Sequence, residues 1–304
     1  MKPRPSVDNM RDLNETNATD AVIAQIRAGD PRLQELLVGL VRHLHAFVRE
    51  VELTEVEWMA AIRYLTAVGH KSDDKRQEFI LLSDVLGVSI LVDAINHRKR
   101  AGATESSVFG PFWVAGAPEL PHGSSIARGE EALSGEPTVV RGTVMAEDGR
   151  PIEGAILDIW QASPAGLYDV QDSTQPEMNL RGLFRSGTDG SFWFKTVKPA
   201  AYPIPEDGPV GDLLRATGRH PMRPAHIHFM VRAPGYETLI THIFVEGDPY
   251  LESDAVFGVK GSLVVDFALN HSESDAAGFD VTTPFIDVNF DIVLEPDKVV
   301  AGDA

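Results

Sequence analysis

The chain has 304 residues, 43% of them apolar, and its 45 acidic and 27 basic residues give a formal net charge of -18. That length predicts two structural units with a substantial core, and the acidity repels phosphate backbones, so no nucleic-acid partner is expected. The absence of cysteine excludes disulfides, thiolate catalysis, iron–sulfur clusters and cysteine-ligated zinc, and it fits a cytoplasmic location.

Residues 1–20 are expected to form a flexible tail. Met1 to Thr19 is polar and has no apolar segment of the kind a signal peptide carries. No apolar run approaches the ~20 residues of a membrane span. From 21 to 102 the pattern is helical, with Leu33, Leu36, Leu37, Leu40, Leu44, Phe47 and Val51 recurring at three- and four-residue steps. Asp30-Pro31 suits an N-cap and first helical position, and Thr54 with Glu57 reads as a capping box for the next helix. Ser72 or Asp73 is expected to start a third helix, which Gly87 interrupts before Val88 to Asn96. His43 and His45 diverge on such a helix and are read as flanks of a buried Leu44. This layer has more apolar surface than its helices need, which predicts an oligomer contact or a seat against a sheet.

From 103 to 304 glycine and proline become frequent and short alternating runs appear. Val139–Met145 and Ala155–Trp160 flank Asp148-Gly149, and Leu183–Arg185 and Phe192–Val197 flank Asp189-Gly190, so each pair is expected to form a hairpin. Further strands are expected at Ile227–Val231, Thr238–Val245, Ser262–Phe267 and Ile286–Leu294. The fold class is therefore mainly β with an α-helical N-terminal domain: a β-sandwich core behind a helical layer.

Within Arg223-Pro224-Ala225-His226-Ile227-His228-Phe229, a strand places His226 and His228 on one face. Two imidazoles converging from one strand can chelate a metal, and the pair alone leaves ligation and a structural role evenly open. Tyr168 lies in a loop after the strand ending at Trp160, and Tyr202 lies between stiffening residues in Ala201-Tyr202-Pro203-Ile204-Pro205. On spacing alone, a core ring with its hydroxyl satisfied accounts for each tyrosine better than ligation does.

Five motifs occur in order: Gly110-Pro111-Phe112-Trp113, Asp158-Ile159-Trp160-Gln161-Ala162, Gly166-Leu167-Tyr168-Asp169, Tyr202-Pro203-Ile204-Pro205 and Arg223-Pro224-Ala225-His226-Ile227-His228. This series, over about Ala21 to Leu294, resembles the intradiol ring-cleavage dioxygenases. The resemblance implies one Fe(III) per chain, held by Tyr168, Tyr202, His226 and His228, and an aromatic diol or triol and O2 as substrates. It also implies that Tyr202 leaves the ion when the diol binds while Tyr168 stays, and that Arg223 stabilises the electron-rich substrate. A surface salt bridge is the competing account of Arg223. The family further implies a homodimer through the helical layer, in some members with lipid in that interface.

Within the family, Ala103 to Trp113 and Phe79-Ile80-Leu81-Leu82-Ser83-Asp84 resemble the members that act on hydroxyquinol. The matching pocket positions are Leu81, Asp84, Val108, Phe109, Gly110, Pro111, Phe112, Ile204, Pro205 and Val256. Asp84 could accept a hydrogen bond from a third ring hydroxyl, which catechol lacks; a solvated helix residue is the competing account. His242 stands where catechol-type members usually carry glutamine, and is read as a neighbour of the ligands or a fifth ligand. Three other readings stay open: a catechol or chlorocatechol dioxygenase, a zinc hydrolase on the same histidine pair, and a β-sandwich binding module without metal.

Overall fold

The computed structural model describes residues 12–73, 76–129 and 134–297 and divides into two compact units, 1–67 and 68–304. Residues 1–11 of the expected tail lie outside the described residues, and by Ala18 the chain is already helical.

The first unit holds α1 (Ala18–Gln25), α2 (Pro31–Glu50) and most of α3 (Glu55–Lys71). The caps follow the sequence. Asp30 accepts a hydrogen bond from the Arg32 amide at 2.8 Å with Pro31 opening α2. Thr54 and Glu57 bond reciprocally, Thr54 N to Glu57 Oε2 at 2.9 Å and Glu57 N to Thr54 Oγ1 at 3.3 Å. Burial differs from expectation. No residue of α2 is buried, and Leu44 is 53% exposed. A helical stripe reveals which face is apolar, not what covers it.

The second unit begins before the sheets. Helix α4 (Glu78–Val85) starts later than Ser72 or Asp73, and the Ser72 hydroxyl accepts from Glu78 N in its first turn at 3.2 Å. Glu78 is fully buried; it pairs with Arg76 at 2.8 Å and accepts from Val210 N at 3.2 Å. That contact fastens α4 to α6 (Pro209–Ala216). The division by compactness falls after residue 67. Gly87 separates α4 from α5 (Val88–Asn96), as the sequence indicates.

Among the described residues the strands form two larger sheets. In one, β1 (Pro137–Ala146) pairs antiparallel with β4 (Ser191–Val197) and parallel with β11 (Phe285–Asn289) and β12 (Ile292–Leu294), while β10 (Ala268–Asn270) pairs with β11. In the other the order is β3 (Arg181–Arg185), β2 (Ile156–Gln161), β7 (His226–Arg232), β8 (Leu239–Val245) and β9 (Val264–Val265). One core cluster joins them: Val140, Val144, Phe192, Phe194 and Val288 from the first meet Leu157, Ile159, Ile227, Phe229 and Ile243 from the second.

Both expected hairpins are corrected. The turns are real, with Gly149 N bonded to Ala146 O at 2.9 Å and Gly190 N to Gly187 O at 2.9 Å. Yet β1 and β2 lie in different sheets, as do β3 and β4. An Asp-Gly pair reverses the chain locally, and in a sandwich the reversed chain can cross to the facing sheet. The expected strand 286–294 breaks at Phe290 into β11 and β12, which keep one register along β1. Only Val264–Val265 of Ser262–Phe267 is strand, after a 3-10 turn. No helix among the described residues is long and apolar enough to cross a membrane.

Candidate active site

The site lies on the outer face of the second sheet. On β7, Ile227, Phe229 and Val231 enter the core, so the pleat sends His226 and His228 outward. Cross-strand register surrounds them. His228 stands opposite Trp160 on β2 and His242 on β8, and His226 stands opposite Phe244. The Trp160 ring stacks on His228 at 4.6 Å between centroids, and His242 meets His228 edge-on at 4.1 Å.

The tyrosines arrive from outside this sheet. Tyr168 follows the turn closed by Gly166 N to Ser163 O at 2.8 Å. Tyr202 belongs to β5 (Tyr202–Pro203), which pairs with β6 (Met222–Arg223) so that Tyr202 faces Arg223. Tyr168 Oη lies 3.0 Å from His228 Nε2 and 3.3 Å from Tyr202 Oη, and the Nε2 atoms of His226 and His228 are 3.1 Å apart. All four residues are buried.

This convergence is electrostatically loaded. Burial, with Arg223 adding to it, pushes His226 down to about 3. Burial and the neighbouring histidine charges hold His228 well below the usual imidazole range, and His242 is held down likewise by burial, then by His226 and Arg223. Burial and then Tyr202 push the Tyr168 phenol well up. Burial thus favours the neutral form of the histidines, the form that binds metals. His226 is oriented by its Nδ1, 2.7 Å from Pro224 O. No hydrogen bond of sound geometry reaches His228 Nδ1 or either ring nitrogen of His242, although the Val108 backbone favours protonated His242. His226, His228 and His242 each offer a nitrogen within 4.8 Å of the others, a group able to hold a metal ion.

A cavity of about 880 Å3 is lined by Leu81, Asp84, Pro111, Phe112, Ile204 and Pro205 of the expected pocket, together with Trp113, Leu167 and Val170. Phe112 stacks on Tyr168 at 4.6 Å. The other expected pocket residues do not line this cavity. Gly110 instead packs on His228, where an added Cβ would stand 3.1 Å from Cε1. Phe109 lies 5.8 Å from the Trp160 ring, and Val108 and Val256 are buried. Asp84 is 6% exposed, which removes the reading of a solvated residue. Burial raises its pKa, against a hydrogen bond from Ser89 and the charge of Arg223.

Arg223 is buried, not a surface ion pair, and its Nη1 lies 3.2 Å from His226 Nε2. Sequence reasoning missed the groups that hold the site residues. Asp254 pairs with Arg223 at 3.1 Å, and Asp169 pairs with Arg181 at 2.6 Å beside Tyr168. Trp113 Nε1 donates to Asp158 Oδ2 at 3.0 Å. Asp169 and Asp158 sit within the motifs quoted above; nothing near Asp254 in sequence marks it, because its partner is 31 residues away.

Comparison with known proteins assigns the class. Residues 108–296 match the family model described as dioxygenase, and residues 30–104 that described as catechol dioxygenase N terminus. A 6-chlorohydroxyquinol 1,2-dioxygenase of Cupriavidus pinatubonensis is 52% identical over 94% of this chain and 99% of its own length. A hydroxyquinol 1,2-dioxygenase of a Rhizobium species is 55% identical over 83% of this chain and 85% of its own. The solved structure of hydroxyquinol 1,2-dioxygenase from Pseudomonas putida superposes with a TM-score of 0.86 at 51% identity, covering 93% of this chain and 97% of that one. The chain belongs to the intradiol ring-cleavage dioxygenases. The zinc-hydrolase and binding-module readings fall with that assignment.

Proposed function

We propose that this chain cleaves hydroxyquinol (1,2,4-trihydroxybenzene) with O2 between its two adjacent hydroxyl-bearing carbons, giving 3-hydroxy-cis,cis-muconate and its keto tautomer maleylacetate in aromatic catabolism. Both oxygen atoms enter the product, so no external reductant is consumed. The observation that carries the reading is the convergence of Tyr168 Oη, His226 Nε2 and His228 Nε2 at 3.0–3.1 Å beside Tyr202 Oη.

These donors fit one ferric ion held by Tyr168, Tyr202, His226 and His228. Donor atoms about 2 Å from a shared ion stand roughly 2.8–3.4 Å from one another, which is the spacing found. Two neutral imidazoles and two hard phenolates suit a trivalent ion, and a phenol whose ionisation burial opposes needs such a charge beside it. When bound, such an ion would supply Lewis-acid activation of the diol. Tyr168 and the two histidines remain as holding groups. Tyr202 Oη takes up a proton from a diol hydroxyl as it gives way. Arg223 Nη1 stabilises negative charge on the ring. Asp84 accepts a hydrogen bond from the third hydroxyl, while Phe112, Ile204 and Pro205 exclude water. The relatives named for hydroxyquinol and its 6-chloro derivative support this substrate over catechol. His242, opposite His228 in the strand register, is assigned as its packing neighbour.

The helical layer is assigned as the face of a homodimer, with lipid in it as the family resemblance implies, on the strength of exposed Leu36, Leu40, Leu44 and Phe47 along α2. Light scattering of the full chain is expected to give twice the monomer mass; a monomer would remove this assignment.

The test of function is a visible spectrum and a pair of rates on iron-loaded protein. A red phenolate-to-iron band, one iron per chain and faster turnover of hydroxyquinol than of catechol are expected. A colourless iron-replete sample sinks the ligand set, and faster catechol turnover moves the substrate to the catechol branch.

A further inference from the structure

We propose that Asp254 is the positioning residue of Arg223: it occupies Nε and Nη2 of the guanidinium, so that Nη1 is the edge turned to the donor cluster and the bound diol. The proposal rests on the function given above. Arg223 is 3% exposed and Asp254 4% exposed. A buried cation needs a partner, because removal from water costs several kcal/mol per ion. Here the partner is one carboxylate, with Nε to Oδ1 at 3.1 Å and Nη2 to Oδ2 at 3.3 Å.

Asp254 is itself fixed. Its Oδ2 accepts from Gly258 N at 2.9 Å and its Oδ1 from Val256 N at 3.3 Å, so both oxygens serve the guanidinium and the loop together. Ala255 N bonds Met222 O at 3.1 Å, tying the loop to the strand that carries Arg223. Ser107 Oγ donates to Gly258 O at 2.6 Å, tying it to the segment that leads into Val108 and Gly110. A Cβ on Gly258 would stand 3.0 Å from Arg223 Nη2 and 3.2 Å from Asp254 Oδ2, so the ion pair packs into space that only glycine leaves at this position. Nη1 remains, 3.2 Å from His226 Nε2.

This arrangement does more than neutralise. A carboxylate offers only acceptors, and a guanidinium only donors, so two parallel N–H···O bonds hold the pair edge to edge, here along the Nε/Nη2 edge. Asparagine would set an NH2 against Nε or Nη2 and release that geometry while keeping the size of the side chain. Neutralisation and positioning then predict opposite results. If Asp254 chiefly damped the charge of Arg223, its removal would strengthen the pull on an anionic diol. If it positions Nη1, removal weakens stabilisation of the reacting ring and kcat falls.

The experiment compares Asp254→Asn and Gly258→Ala in full-length, iron-loaded protein with the parent. Expected are one iron per chain and an unchanged resting visible band, since Tyr168 and Tyr202 are untouched. kcat for hydroxyquinol falls about 10- to 100-fold, KM changes by less than about threefold, and the band of the anaerobic diol complex shifts. Gly258→Ala moves kcat in the same direction with the carboxylate intact, and carries the test if Asp254→Asn does not fold. An unchanged or raised kcat in iron-replete variants overturns the proposal, as does loss of iron and of the resting band in both, which would mark a purely structural loop. A parent enzyme that leaves hydroxyquinol intact would sink the assigned function instead, so the two failures are distinguishable.

Discussion

The two faces of β7 are buried to the same degree and are held by different physics. On the inner face Ile227, Phe229 and Val231 are fully buried, and Phe229 meets Phe192, Phe194 and Phe290 at 5.9–6.4 Å. Every atom there gains from leaving water. On the outer face His226 and His228 are 1% and 2% exposed, and burial drives both imidazoles towards neutrality. One strand thus separates stability from chemistry by its period of two. The apolar face holds the backbone rigid, and the polar face uses that rigidity to keep donor atoms near one another before anything binds.

The outer face breaks first and hardest. Replacing His226 or His228 with alanine is expected to abolish the visible band and lower turnover more than about a thousand-fold. Iron analysis alongside steady-state rates checks this; a coloured, active His228→Ala protein would remove that residue from the ligand set. The inner face breaks differently. Phe229→Ala is expected to cost about 3–5 kcal/mol of stability, read by urea titration of the iron-free protein, with the band position of the folded, iron-loaded protein unchanged. A large band shift would mean that the two faces are not separable.

A subtler change presses on the outer face alone. Gly110 has φ +76°, and a Cβ there would stand 3.1 Å from His228 Cε1. Gly110→Ala therefore strains the backbone and displaces the imidazole. Iron affinity or activity is expected to fall about 10- to 100-fold, measured by competition with a chelator. Parent-like affinity and activity together would show that His228 can yield without loss.

How far the sequence announced all this depends on the range of the interaction. The pairing of His226 with His228, the cap at Asp30 and the box at Thr54 and Glu57 are local, and each is present. The Asp-Gly turns were legible as turns, but which sheet receives the returning strand is decided by side chains far along the chain. Leu44 shows the same limit for a helix: periodicity identified its face but not its exposure. At the site, the tyrosines were ambiguous by spacing and became legible only through the ordered motifs. Asp254 stayed hidden because a lone aspartate in a loop carries no periodicity, and its meaning lies in a guanidinium brought to it by folding.

Asp84 carries the smallest effect and tests whether a buried carboxylate belongs to the function face or merely to the fold. Its pKa is raised, with burial as the main cause, so ionised Asp84 weighs against folding. The sign is that of a raised acid: the folded state binds its proton more readily than the unfolded chain. Asp84 therefore favours folding below the unfolded value of 3.8, and this contribution is lost as pH rises through the raised folded value. Asp84→Asn is accordingly expected to raise the Tm of the iron-free protein at neutral pH. Asp84→Ala is expected to lower the ratio of hydroxyquinol to catechol turnover by about tenfold, as one charge-assisted hydrogen bond is lost. In the parent that ratio should climb with pH through the Asp84 titration, because the ionised form is the better acceptor, and in Asp84→Ala the climb should vanish. Equal losses on both diols, with no change in pH profile, would leave Asp84 a residue of the fold and return the choice of diol to the shape of the cavity.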